Sequence, residues 1–153
     1  MTASQRLAEL GITLPDVPAP VAAYVPAVRV DDLVYTSGQL PFVAGQLAGA
    51  GKVGAEVDAE TAAGLARIAG LNAIAAAASV AGGVDAIAQV VKLVVFVASD
   101  VSFIGQPAVA NGASLLIGEV FGDAGKHARS AVGVAVLPLD SPVEVELIVR
   151  VRD

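Results

Sequence analysis

Two charged residues stand where the chain is otherwise built for burial. Arg129 heads the run HARSAVGVAV (127–136), and Glu144 lies at the start of VEVELIVRVR (143–152). Both runs alternate with the two-residue period of a strand. A guanidinium offers a planar fork of N–H donors that matches a carboxylate in two bonds. A glutamate beside it can orient or deprotonate a water. The pair can therefore hold a small carboxylate and deliver water to it. It can equally form an ion pair at a subunit contact with no chemistry at all. Spacing alone leaves both possibilities open.

The other candidates are weaker. His127 is the only histidine and there is no cysteine. Disulfides, thiolate catalysis and cysteine-based zinc sites are thereby excluded, and no metal site is expected. No G-x-S-x-G elbow supplies a serine partner for His127, which is expected at the surface. In TSGQLP (36–41), Ser37 and the amide of Gly38 either meet a ligand or simply form a turn. AGAGKVGAE has neither the spacing nor the strand context of a phosphate loop. Asn72 and Asn111 fall in segments rich in Ala and aliphatics, where a buried amide usually bonds to a loop backbone.

The elements that must position these groups follow from periodicity and punctuation. SQRLAELGI reads as a short helix ended by Gly11, and a proline-rich connector covers 15–26. Asp31-Asp32 turns AVRV into LVYTSG, a hairpin over 27–38. Residues 42–57 are rich in Gly and Ala and read as loop with room for a small strand. Asp58 is a good N-cap for a long helix to about Ala81, closed by Gly82-Gly83. VVKLVVFVAS (90–99) is apolar on both faces apart from Lys92, which marks a central strand. Pro107 fits the first turn of a second long helix ending at Gly122. Two strands follow, expected to pair through the turn LPLDSP. The order ββ-α-β-α-ββ predicts a single α+β domain over 1–153, a mixed sheet with two helices on one face, in which 1–19 form an N-terminal helix and proline-rich extension.

On that arrangement Val132, Val134 and Val136 would join the valine face of the last strand beneath the helices. Arg129, Ala131, Gly133 and Ala135 would share the opposite face with Glu144, Glu146 and Ile148. Such a face is too small and apolar for solvent, so a second copy is expected to cover it. Composition agrees: 56% of residues are hydrophobic and only 16% charged. The net charge of -6 disfavours nucleic acid, whose phosphates need a basic face. No window has the Leu/Ile/Phe density of a membrane span and no secretory leader is evident, so a cytoplasmic location is expected.

The blocks TSGQLP, LNAIAAA, VVKLVVFV and ARSAVGVAVLPLDSPVEVELIV, in this order over about residues 20–152, resemble the RidA/YjgF family, also labelled endoribonuclease L-PSP. The resemblance implies a chorismate-mutase-like domain forming a homotrimer, with pockets in the clefts between subunits. It implies hydrolysis of enamines and imines released by pyridoxal-phosphate enzymes to 2-oxo acids and ammonia, without a cofactor. A carboxylate-binding arginine falls on Arg129 and a water-positioning glutamate on Glu144. Ligand contacts fall on Tyr24, Ser37, Gly38 and Asn111. Ala131 stands where many relatives have cysteine, its backbone still able to meet a carboxylate, and His127 stands where many have proline. The same resemblance also admits a non-catalytic binder of small carboxylate metabolites. RNA cleavage, the activity behind the older label, wants a basic groove and acid–base groups that this chain lacks.

Overall fold

The computed structural model describes residues 1–19 and 23–153; residues 20–22 of the proline-rich connector lie outside the described residues. Helix α1 (Ala3–Glu9) is started by a capping box: the Thr2 hydroxyl accepts from the Gln5 amide, and the Gln5 side chain accepts from the Thr2 amide. Its Leu7 is buried in the core, and Ser4 donates from both backbone and hydroxyl to Asp85. The extension is thus tied to the domain at two points.

Strands β1 (Ala27–Val30) and β2 (Leu33–Thr36) form the expected hairpin about Asp31-Asp32. The loop that follows holds a two-residue hairpin, β3 (Phe42–Val43) and β4 (Gln46–Leu47), turned by Ala44 and Gly45 at positive φ. Helix α2 (Ala59–Ala81) begins where Asp58 accepts the Thr61 amide at 2.7 Å and ends at Gly82, whose φ of 95° suits a residue without Cβ. Strand β5 (Ile87–Ala98), helix α3 (Gln106–Phe121), strand β6 (Ala128–Val134) and strand β7 (Val143–Val151) complete the domain. Length and composition alone would let α2 cross a membrane. Here Ala66, Ala69, Ala73, Ile74 and Ala77 are buried, as befits a core helix.

The sheet order is β1-β2-β7-β5-β6, antiparallel except for β5 and β6. Helices α2 and α3 cover one face, giving the α+β two-layer fold that the element order predicts. Val34, Leu93, Val95, Val97, Val143, Val145, Leu147 and Val149 point into that layer and are fully buried or nearly so. Burying each such side chain contributes roughly 1.5–3 kcal/mol over leaving it in water.

Two expectations are overturned. The last two strands do not pair with each other, because β5 lies between them. The β5–α3–β6 unit is a crossover through a helix, which places β6 parallel beside β5 at the sheet edge. The segment after β6 then crosses the end of β5: Ala98 donates to the Pro142 carbonyl and Gly51 to that of Asp140. This delivers β7 into the slot between β2 and β5.

The faces of β6 are also the reverse of those expected. Arg129, Ala131 and Gly133 pair in register with Leu93, Val95 and Val97 and so face the helices. Val132 pairs with Phe96 on the open face and is 44% exposed; Val136 is 67% exposed. The small residues are small because the helix layer comes close. A Cβ on Gly133 would lie 2.9 Å from Gln106 Nε2 and 3.2 Å from Ser99 Oγ.

Candidate functional site

The reversal of β6 divides the candidate residues into two clusters. Arg129 lies on the helix-facing side of edge strand β6. Glu144 pairs with Phe96 of β5 and lies on the open side of β7, with Glu146 and Ile148. The two residues therefore sit on opposite faces of the sheet with β5 between their strands. Neither the shared face nor an Arg129–Glu144 ion pair exists within one chain.

The first cluster is built by β6 and α3. One guanidinium nitrogen of Arg129, Nη1, donates to Asn111 Oδ1 at 2.7 Å and to Ser114 Oγ at 3.1 Å. Asn111 and Ser114 are three residues apart and share one face of α3. Both hydrogens of Nη1 are thus committed. The Nε and Nη2 edge of the fork makes no hydrogen bond among the described residues, and no carboxylate pairs with it there. Asn111 accordingly acts on the arginine in this chain, rather than bonding to a loop backbone. Ser114 Oγ in turn lies 2.9 Å from His127 Nε2, and His127 Nδ1 lies 2.6 Å from the Gly125 carbonyl. His127 is therefore a partly buried, doubly bonded residue with a serine partner, not the surface histidine expected. The signal for Ser114 was present in the sequence: with Asn111 it forms a polar i, i+3 pair on an apolar helix. Ala131, next along the same face of β6, packs against the core.

The second cluster is built by β7 and the end of β2. Gln39 and Val145 exchange two backbone hydrogen bonds, which presses Gly38 onto the neighbouring Glu144. A Cβ at position 38 would run into the Glu144 carboxylate. Ser37 donates its hydroxyl to the Val25 carbonyl at 2.6 Å and its amide to that of Pro26 at 2.8 Å. The Ser-Gly turn thereby anchors the segment carrying Tyr24, which is 64% exposed. Burial pushes the Glu144 carboxyl above its ordinary range, and the like charge of Glu146 adds to this. Asn72, by contrast, donates to the carbonyls of Leu40 and Phe42, the loop-pinning role its type and position predict.

Gly38→Ala is expected to displace the Glu144 carboxylate with little loss of stability, since the far end of a flexible side chain is what must move. Activity falling while the melting temperature holds would check this; an unchanged activity would show that the close approach has no role.

Arg129 with one edge pinned and one edge open can take a carboxylate in two bonds. Glu144, partly buried and with a raised pKa, can act as a base toward water. Comparison with known proteins agrees with the fold. Residues 4–151 match the family model described as "YjgF/chorismate_mutase-like, putative endoribonuclease". The chain is 42% identical to Protein TCP17 of Trypanosoma cruzi over 151 residues, 97% of this chain and 93% of that protein. It superposes on the crystal structure of Atu1372 from Agrobacterium tumefaciens, a protein of unknown function, with a TM-score of 0.88 and 42% identity, covering 98% and 92% of the two chains. It superposes on E. coli TdcF, solved with bound serine, with a TM-score of 0.62 and 27% identity, covering 89% and 93%. With a family model spanning nearly its whole length, a relative matched from end to end and the same fold in solved structures, this chain belongs to the YjgF/chorismate mutase-like family.

Proposed function

We propose that the protein hydrolyses reactive enamines and imines of amino-acid metabolism to 2-oxo acids and ammonia, without a cofactor, in sites completed between the subunits of a homotrimer. The observation that carries this reading is the Arg129 guanidinium. It is pinned on one edge by Asn111 and Ser114, its other edge is without a partner, and no acidic side chain pairs with it among the described residues. A fixed, unneutralised fork of this kind suits a small carboxylate. The serine held by TdcF is a carboxylate of that size. A cytoplasmic setting, where pyridoxal-phosphate enzymes release such intermediates, fits the proposal.

Glu144 lies on the opposite face of the same sheet, so one chain cannot bring it to a ligand on Arg129. A second copy that places its Ser37-Gly38-Glu144 cluster beside the α3–β6 edge of the first would complete the site. Arg129 then binds the substrate carboxylate, and Glu144 takes a proton from water as its oxygen bonds to the imine carbon and the C=N electron pair moves to nitrogen. Glu144 returns that proton to the nitrogen, and the C–N bond breaks as the new hydroxyl gives up its proton and becomes the carbonyl, so that ammonia and the 2-oxo acid leave with Glu144 ionised again. A partly buried carboxylate with a raised pKa is a better base near neutrality than an exposed one. The net charge of -6 disfavours RNA as substrate.

Ammonia or keto-acid release from 2-aminoacrylate generated in place tests the proposal. The wild type is expected to accelerate release over buffer, and Arg129→Ala to lower kcat/KM by at least about a hundredfold. No acceleration across several amino-acid-derived imines would overturn the hydrolytic reading. Carboxylate binding by the wild type and Glu144→Gln alike, with no turnover of any substrate by the wild type itself, would make the protein a carboxylate binder instead. A monomer in sedimentation at micromolar concentration would remove the shared site.

A further inference from the structure

We propose that His127 and Ser114 form a positioning relay that sets the orientation of the Arg129 guanidinium, and with it the affinity of the site for a carboxylate. The inference rests on the functional reading above and deepens it.

The polarity of the relay follows from its far end. A carbonyl only accepts, so the contact between His127 Nδ1 and the Gly125 carbonyl requires the proton on Nδ1. Neutral imidazole then has a lone pair at Nε2, and the Ser114 hydroxyl must donate to it. With its hydrogen so committed, Ser114 Oγ offers a lone pair to Arg129 Nη1. For the neutral ring the direction is thus set along the whole chain of bonds; an imidazolium would donate from Nε2 to the Ser114 oxygen, which in either case keeps a lone pair for Arg129 Nη1.

The anchor is rigid. Gly125 is buried at the end of a 3-10 turn over Gly122–Gly125, and a Cβ there would lie 2.7 Å from the Ile117 carbonyl of α3. The Gly125 carbonyl is therefore held against the helix that carries Ser114. A serine within a helix usually donates back to a carbonyl in its own preceding turn. Ser114 bonds instead across to His127, which stations its lone pair at the arginine. Without the imidazole, Ser114 can still accept from Arg129, but its rotor is no longer set. Without the hydroxyl, Nη1 keeps Asn111 alone and the guanidinium can turn.

The test uses calorimetry with pyruvate as the carboxylate probe, kinetics where turnover is found, and NMR of the arginine side-chain nitrogens. Ser114→Ala is expected to weaken pyruvate binding about tenfold, with KM raised and kcat changed much less. His127→Phe is expected to do the same about threefold, since Ser114 keeps its oxygen. Ser114→Thr, which retains the hydroxyl, restores most of the affinity. In an Arg129→Ala background neither substitution adds a further loss, because both act through the arginine. A residue touching ligand directly would still show its effect there, and that result would overturn the relay. The NMR arm needs no ligand. Slow rotation of the Arg129 guanidinium in the wild type and faster rotation in Ser114→Ala supports the relay, and identical rotation overturns it. Altered rotation with no pyruvate binding by any form would leave the relay standing and count against the carboxylate reading instead.

Discussion

Glu144→Gln is expected to lower kcat by about two to three orders of magnitude while leaving carboxylate binding nearly intact. The amide keeps the volume and the place of the side chain against Gly38 but cannot take a proton from water. The same substitution carries a signed effect on stability. Burial, and then Glu146, hold the Glu144 carboxyl above its ordinary pKa. Between the ordinary and the raised value the folded chain therefore binds more protons than the unfolded one. Stability falls as pH rises through that window and stays lowered above it. Glutamine never ionises, so the variant melts higher than wild type at neutral pH. The gain disappears once the pH drops below the ordinary carboxylate range of about 4. Steady-state kinetics and melting curves from pH 4 to 8 on the two proteins check both halves. Unchanged kcat would remove Glu144 from the chemistry, and an unchanged difference in melting across pH would remove the buried-charge account.

Gly112→Ala is expected to cost about 3 kcal/mol or more of folding stability. A Cβ at position 112 would collide with the Ala63 carbonyl in the backbone of α2. No rotamer change can relieve a clash with main chain, so α2 and α3 must separate. They also meet where a Cβ on Gly70 would lie 3.1 Å from the Ala113 Cβ, and the salt bridge from Arg67 to Glu119 spans them at 2.7 Å. Separation would loosen the layer that covers the sheet and shift Asn111 and Ser114 with it. Gly118→Ala on the same helix is the control. Nothing lies within 4 Å of its added Cβ, and alanine in a helix is worth up to about 1 kcal/mol over glycine. Urea unfolding of both variants is the measurement: a large loss at 112 with a small gain at 118 is expected, and equal behaviour would refute the packing account.

Much of the architecture is legible in the sequence. Asp58 and Gly82 bracket α2 because a cap and a left-handed glycine act on the nearest few residues alone. The Asp31-Asp32 turn and the central character of β5 were readable for the same reason: turn chemistry is local, and a strand apolar on both faces must be covered on both. The alternation of β6 was readable too. Its orientation was not, because period two says which residues share a face but not which face meets the helices.

The candidate site shows the same division. Arg129, Glu144, Ser37, Gly38 and Asn111 stood out by type, spacing and resemblance to a family. Their grouping did not follow. A sequence lists strands in chain order, and the two last strands looked like a hairpin. The crossover through α3 instead places β6 outside β5, and β7 enters from the other side. That topology turns Arg129 toward α3 and Glu144 toward the open face, and it brings Ser114 and His127 together from positions thirteen apart. Local chemistry, read along the chain, determined the elements and the reactive side chains. Which of them meet was decided only by strand order and helix packing, because those depend on contacts between residues far apart in the chain.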